Sequence, residues 1–446
     1  TGAAWLPDDT LYFCGNWSAD LGRLQVYGSE VEYLTLSGLE DGGCVVAHSP
    51  LPGGRALLCG VSDGSSFDIA VIDLEELSLR VVQENGFTPT WAPSGHVVYQ
   101  QGSDGPLMAL PFDPERCVAT GAPFPVATDL GRRVSYQARM FALAEDGTLA
   151  YIPQGELLER GALLWVDRSG AALPIVELDK VVDLPLLSHD NRRIAFRAPA
   201  PSCEIWVHEL ERGVTTRLTG EGDNHGLAWA PDDARLAFAR HETSGWRVVT
   251  AAIDGAGAVE PHSPAELVRG FVSSWSPDGR YVLVNTGSDT TNLDVQLVSL
   301  EERSVTPLLH SRHAEESAVF SPDGRYIAYT SDEEGQEEVY VQPFPALGRR
   351  EKLSTGGGAE PVWSPQKDEL FFRSGRKVMV VPVRLEPEFS AGRPELLFET
   401  DLSGRGTAGI RGYDVSADGQ HLVMMRERSA EGGSAVYVVL DWFEDM

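Results

Sequence analysis

Trp275-Ser-Pro-Asp-Gly-Arg-Tyr281 and Phe320-Ser-Pro-Asp-Gly-Arg-Tyr326 are two copies of one turn, and each runs on into an apolar stretch, Val-Leu-Val-Asn-Thr or Ile-Ala-Tyr-Thr-Ser. The residue types define the turn: proline presets φ, aspartate caps through its side chain, and glycine takes a positive φ. Weaker copies are Trp5-Leu-Pro-Asp8, Trp91-Ala-Pro-Ser-Gly95, Trp229-Ala-Pro-Asp-Asp233 and Trp363-Ser-Pro-Gln366. More degenerate ones are Leu51-Pro-Gly-Gly-Arg55, Ala144-Glu-Asp-Gly147, Ser188-His-Asp-Asn191 and Ser416-Ala-Asp-Gly419. With the proline, or the residue in its place, as the marker, the copies fall at 7, 52, 93, 145, 189, 231, 277, 322, 365 and 417. The mean interval of about 45 residues is the size of one four-stranded propeller blade.

One repeat supplies all the parts of such a blade. An aromatic or large apolar residue ends an inner strand and packs between blades. After the turn comes an apolar strand, Arg325-Tyr-Ile-Ala-Tyr-Thr330, then a polar hairpin, Asp332-Glu-Glu-Gly-Gln336. A third strand, Glu338-Val-Tyr-Val-Gln342, and an outer fourth, Glu351-Lys-Leu-Ser354, follow, and Thr355-Gly-Gly-Gly358 leads back to the centre. No window sustains helical apolar spacing over three turns. The expected class is therefore all-β: a β-propeller of four-stranded antiparallel blades in about ten repeats.

These turns resemble the TolB-like, WD40-like (PD40) propellers of bacteria. The likeness extends to the propeller region found C-terminal to bacterial Ser/Thr protein kinases. It is carried there by Leu163-Leu-Trp-Val-Asp-Arg-Ser-Gly170, Val339-Tyr-Val-Gln-Pro-Phe-Pro345, Ser354-Thr-Gly-Gly-Gly358 and Val439-Leu-Asp-Trp-Phe-Glu444. The resemblance implies an extracytoplasmic sensing or interaction module, periplasmic or on the cell-envelope side, attached to a kinase through a membrane helix. This chain carries no kinase catalytic-loop HRD or magnesium-binding DFG signature.

Ten repeats exceed the four to eight blades usual in one ring. The last six suit a six-bladed propeller over residues 161–446. The first four, residues 1–160, then form part of a second propeller whose first blades lie upstream of Thr1. On this view the chain is a piece of a longer polypeptide. The alternative is one ten-bladed ring. The last repeat has no outer strand of its own after Val436-Tyr-Val-Val-Leu440, and the Leu163–Leu173 region is the expected donor of a closing strand.

The formal net charge of −30 repels phosphate backbones and anionic lipid, so neither nucleic acid nor direct membrane insertion is expected. No stretch approaches the about 18 continuous apolar residues of a membrane span, and no signal peptide is visible. The five cysteines, Cys14, Cys44, Cys59, Cys117 and Cys203, include no CxxC pair and lack zinc-site spacing. They are expected mainly as buried thiols, with Cys44 and Cys59 as the pair that adjacent strands could align. No cofactor or metal is expected.

Motif matches are outweighed by their context. Gly60-Val-Ser-Asp-Gly64 fits GxSxG, but a nucleophile elbow needs a helix after the serine, and here a polar hairpin is expected. Gly404-Arg-Gly-Thr-Ala-Gly409 fits GxGxxG, but it continues into the strand-like Tyr413-Asp-Val-Ser416 instead of a helix. The acidic hairpin Asp332–Glu338 lacks EF-hand spacing and is expected to be solvated. Asn16-Trp-Ser18 matters as a sequon only in a eukaryotic secreted protein. The histidines form no HExxH pair, and His189 occupies a turn position where other repeats carry proline.

The geometry of a propeller does mark one place. Inner strands begin at one mouth of the central channel, so the residue four before each marker aromatic should lie there. In the last six repeats these are Asp183, His225, Phe271, Glu316, Ala359 and Arg411, with Glu360 adjacent. Charged and imidazole groups converging on a channel make a rim for a small ligand or a peptide. The expected function is non-catalytic recognition of a protein, peptide or small ligand, as the sensor or interaction module of a Ser/Thr kinase. The alternatives are the gating propeller of a prolyl-oligopeptidase-type serine peptidase and an envelope scaffold of TolB type.

Overall fold

A computed structural model describes residues 2–14, 20–28, 31–39, 44–62, 67–102, 105–131, 140–144, 146–153, 160–199, 203–220, 222–242, 245–254, 259–264, 270–288, 292–366, 368–402, 411–428 and 436–442. The described elements are β-strands joined into antiparallel sheets. They fall into two compact units, Glu159–Arg428 and Thr1–Leu158 with Ser429–Met446.

In Glu159–Arg428 the sheets follow one another along the chain. The first is Asp183–Leu187, Arg193–Ala198, Glu204–Glu209 and Val214–Arg217. The second is Asp223–Trp229, Arg235–Glu242, Gly245–Ala252 and Glu260–Pro261, and the third is Gly270–Trp275, Tyr281–Ser288, Asn292–Ser299 and Ser304–Leu309. The fourth runs from Glu315–Phe320 through Tyr326–Ser331 and Glu338–Pro343 to Glu351–Lys352. The fifth is built on Ala359–Trp363, Glu369–Ser374 and Lys377–Arg384. The sixth is composite: Tyr413–Val415 and His421–Arg428 are completed by Arg160–Asp167 and Ala172–Leu178. The closing strand thus comes from the segment expected, and its register runs from Arg160 opposite Arg428 to Asp167 opposite His421.

Apolar layers between successive sheets hold this succession together. Leu186 and Ile205 of the first sheet share a layer with Leu227 and Phe238 of the second. Ala237 and Val248 meet Val282 and Val298, and Leu283 and Val295 meet Ile327 and Tyr329. Ala328 and Val341 meet Leu370 and Phe372, and Phe371 and Val378 meet Tyr413 and Met424. The last layer joins Leu163 and Val423 of the sixth sheet to Ile194 and Phe196 of the first. The sixth sheet of the unit thus packs back on the first.

The marker turns are built as their residues predict, with a part for serine that the pattern did not reveal. Ser276 Oγ donates to Asp278 Oδ1 at 2.6 Å and accepts from Tyr281 N at 2.8 Å. The same bonds recur at Ser321 and at Ser416. Marker tryptophans also tie neighbouring sheets: Trp229 Nε1 donates to Leu186 O and Trp363 Nε1 to Val319 O.

The other unit holds the sheets Ala3–Trp5 to Val31–Thr35, Cys44–Pro50 to Ser78–Gln83, and Gly86–Ala92 to Phe124–Ala127. Its fourth sheet is Phe141–Leu143, Leu149–Tyr151 and Tyr437–Val439. The expected division kept everything to residue 446 with the later repeats. Instead, the slot beside His421–Arg428 is taken by Arg160–Asp167, and Tyr437–Val439 pairs with Leu149–Tyr151.

The Cys44–Cys59 pairing does not form. Register sets Cys44 opposite Ser62 and Cys59 opposite Ala47, and Cys59 is a free buried thiol donating to Ala70 O. Ser62 of the GxSxG match is a buried residue inside Ala56–Ser62, paired across to Phe67, which is strand geometry and not an elbow. The GxGxxG match lies outside the described residues. The acidic hairpin is less solvated than expected: Glu334 pairs with Lys352, Glu333 with Arg350, and the fully buried Glu338 accepts from Ser354 Oγ and Gly356 N.

Candidate binding site

Five inner strands of Glu159–Arg428 carry a register shift. It falls four residues before the marker apolar residue in four of them, after Asp183, His225, Glu316 and Ala359, and three before it in the other, after Val272. Four of the shifts hold a residue with positive φ: Leu184 (55°), Gly226 (67°), Ser317 (56°) and Glu360 (57°). A bulge of this kind bends the strand and re-aims its side chains. At Gly226 the requirement is also steric, since a Cβ would stand 2.1 Å from Val272 N of the next sheet.

The bulge recurs beside the expected mouth residues Asp183, His225, Phe271, Glu316 and Ala359. Asp183 lies opposite Arg197, His225 opposite Ala239, Phe271 opposite Asn285, Glu316 opposite Thr330 and Ala359 opposite Arg373. Arg411 precedes Tyr413–Val415 by two residues. Leu184, Leu227, Val272, Ser273, Ser317, Val319 and Arg411 line a small central cavity of about 10 Å³, room for about one water molecule. Its lining draws on inner strands around the unit, as a central channel must.

Three of the expected residues are linked: Asp183 and His225 through Arg197, and His225 to Phe271 by a ring contact. Arg197 Nε and Nη2 bind the two oxygens of Asp183 at 2.8 and 2.5 Å, and its Nη1 lies 3.1 Å from His225 Nδ1. A guanidinium only donates, so Nδ1 accepts and Nε2 carries the ring proton toward Asp223 Oδ1 at 2.5 Å. The His225 ring meets the Phe271 ring edge-on at 4.9 Å and Trp246 at 5.0 Å. Burial alone would lower the Arg197 pKa, but the Asp183 carboxylate outweighs it and keeps the guanidinium charged.

On the far side of the ring, Glu360 is buried and accepts from Gly412 N at 2.9 Å, while its carbonyl accepts from Tyr413 Oη at 3.0 Å. Burial pushes the Tyr413 hydroxyl well above its ordinary range and raises the Asp414 carboxyl, whose Oδ1 stands 3.9 Å from Arg411. Glu316 is buried as well. An open groove of about 730 Å³ adjoins this sector, lined by Gln336, Glu337, Gly357, Gly358, Ala359, Glu360, Arg373, Ser374 and Gly375. Arg373 donates there to the carbonyls of Leu402 and Gly375.

The marker count takes one position per inner strand; it missed Arg197, Cys203 and Arg373 on other segments, and Asp223, two residues before His225 on the same inner strand. Arg197 and Arg373 sit on second strands directly across from counted residues. The signal for them was available: in an antiparallel pair, the residue opposite a mouth residue shares its level.

The fold and its ring of sheets define a TolB-like β-propeller. No family model matches the chain. Among curated proteins, the Tol-Pal system protein TolB of Anaeromyxobacter sp. (strain K) is 29% identical over 130 residues, 29% of each chain. The TolB of Alcanivorax borkumensis is 32% identical over 108 residues, 24% of each chain. The chain thus spans less than a third of the curated relatives it matches. The structure of a putative TolB from Agrobacterium tumefaciens superposes with a TM-score of 0.51 at 19% identity, covering 60% of this chain and 99% of that one.

Proposed function

We propose that this chain is a non-catalytic recognition module that holds a protein, peptide or small ligand at the channel mouth of Glu159–Arg428. The observation that supports this reading is the bulge that recurs after Asp183, His225, Glu316 and Ala359, beside inner-strand residues that line one small cavity. Asp183, His225, Phe271, Glu316, Glu360 and Arg411 are its proposed contacts, and Arg373 in the adjoining groove joins them. A constant backbone with variable side chains is how a repeat scaffold reads a partner.

In its parent polypeptide the module reports to a bacterial Ser/Thr kinase from the extracytoplasmic side. That part of the proposal rests on the kinase-associated stretches of sequence. The relatives named for the Tol-Pal system favour a second reading, an envelope scaffold, which uses the same mouth. The peptidase-gate reading draws no support from Ser62, which is buried within a strand.

The test is capture of partners from a bacterial envelope extract by the wild-type chain and by the Glu316→Ala, Arg411→Ala double variant. Loss of the captured set by a variant with an unchanged circular-dichroism spectrum supports the mouth. An unchanged set refutes it.

A further inference from the structure

We infer that Cys203, Asp223 and His225 form a binding site for one thiophilic divalent cation of the zinc class. Their ligating atoms, a thiol sulfur, a carboxylate oxygen and a ring nitrogen, all lie within 4.8 Å of one another. This inference stands whether or not a partner docks at the mouth, because it requires only the chain and a metal ion.

The donor set is the first argument. Sulfur, nitrogen and oxygen together are the ligands that zinc and its neighbours take, whereas calcium and magnesium take oxygen alone. In a tetrahedral zinc shell, with bonds of about 2.0–2.3 Å, ligand atoms stand about 3.3–3.7 Å apart. Cys203 and His225 are buried and Asp223 is half-buried, so closing the shell takes a movement of about 1 Å and no exposed side chain has to fold inward.

The second argument is local support. Asp223 and His225 are two apart on one strand and so share a face. Cys203 comes from the first sheet, just ahead of Glu204–Glu209. Its carbonyl accepts from Asn224 Nδ2 at 2.6 Å, and Asn224 Oδ1 accepts from Arg240 Nε at 2.8 Å. Asn224 lies between the two strand ligands, so one side chain fixes the third ligand's backbone relative to them. Partners of this kind orient ligands in metal sites.

The hydrogen bonds also set the conditions for binding. In the metal-free chain Nε2 carries the ring proton and Nδ1 accepts from Arg197. A cation at Nε2 moves the proton to Nδ1, where it meets a guanidinium that cannot accept it. Arg197 must then withdraw Nη1, while keeping Nε and Nη2 on Asp183. The thiol gives up its proton on binding the metal. Arg197 acts against the metal, and replacing it by a side chain that accepts from Nδ1–H favours the metal.

The experiment is a Co²⁺ titration of the full 446-residue chain, followed by absorption. The expected result is an ultraviolet sulfur-to-cobalt charge-transfer band saturating at one equivalent and displaced by Zn²⁺. Cys203→Ser abolishes it, and Arg197→Gln shifts the titration to lower Co²⁺. A wild-type chain without the band overturns the inference. So does an unchanged band in a folded Cys203→Ser variant, which would place the thiolate at another cysteine. If Cys203→Ser fails to fold, Asp223→Asn decides: it keeps the thiol, and an unweakened titration there refutes the site.

Discussion

Asp233→Gly is the sharpest test of how the ring is latched. In Ala230-Pro-Asp-Asp233 an aspartate stands where other copies of the turn carry glycine, at φ 55°. Its carboxylate reaches the preceding sheet's turn, accepting from His189 N at 2.9 Å, Asp190 N at 2.9 Å and the His189 ring Nδ1 at 2.7 Å. The His189 side chain is 53% exposed, so water replaces part of what is lost. The two backbone bonds to a charged acceptor are then worth about 1 kcal/mol each, reduced by solvent from the roughly 1.5–3 kcal/mol of well-shielded ones. The partly exposed ion pair adds at most about 1 kcal/mol. Glycine returns about 1 kcal/mol by relieving the positive φ. The net loss is about 2 kcal/mol where His189 is charged and about 1 kcal/mol where it is neutral.

The sign of the pH dependence follows from the two partners. The hydrogen bond to Asp233 raises the His189 pKa, so its contribution is full below the ordinary imidazole value of about 6.5 and is lost as pH rises through the raised value. Burial opposes ionisation of Asp233, but the His189 side chain and the two backbone donors outweigh it and lower its pKa. The Asp233 contribution is therefore full above the ordinary carboxylate range and is lost as pH falls through the lowered value. Both act together between about pH 4 and pH 6.5. Calorimetry of the full chain at pH 5 and pH 9 measures the difference. The transition that Asp233→Gly lowers should fall by several degrees at pH 5 and by about half as much at pH 9. Equal shifts at both pH values, or none at pH 5, would refute the latch. His189→Gln should remove the pH dependence and keep most of the stability.

Trp363→Phe deletes the donor to Val319 O and leaves that carbonyl without this bond in a buried layer, at about 1–2 kcal/mol by urea denaturation. Arg168→Met removes the two bonds to Glu369 at 3.0 and 3.1 Å and one to Gly419 O, with an expected loss of about 1–2 kcal/mol. Deleting residues 160–178 strips both outer strands from the composite sheet; the result should be a loss of near-ultraviolet circular dichroism, and a native spectrum would show that the ring closes without them.

The turns were legible because their chemistry is local. Proline, aspartate and glycine each answer a demand within four residues, and a period of about 45 then implies the blade. The composite sheet was partly legible. The last repeat lacked an outer strand, and Arg160–Asp167 is strongly apolar on the side that its partner strand buries. The destination of Tyr437–Val439 was not legible, since strand partners are a competition settled by which slot is already filled, and no residue of that tripeptide encodes the answer. The serine of the turn was passed over for a related reason. Its hydroxyl closes a bond network with a residue two places on and an amide five places on, a pattern that conformational preference alone does not weigh.

The site was legible as a set of positions and not as a constellation. Counting back from the marker aromatic reaches the residue beside the bulge because the bulge recurs after Asp183, His225, Glu316 and Ala359. Neighbours across the sheet escape such a count, and they supply half of the chemistry: Arg197 turns Asp183 and His225 from two separate mouth residues into one network. Departure from the repeat is not by itself a sign of function. Asn191 and Asp233 depart from glycine, and their side chains fasten one turn to the next, Asn191 Oδ1 by accepting from Ala417 N. Asp183, His225, Glu316 and Arg411 depart from one another at the opposite end of the inner strands, and of these Arg411 lines the small central cavity. The difference lies in which end of the inner strand a variable residue occupies: one end latches the blades, and the other is the end at which a ligand is proposed.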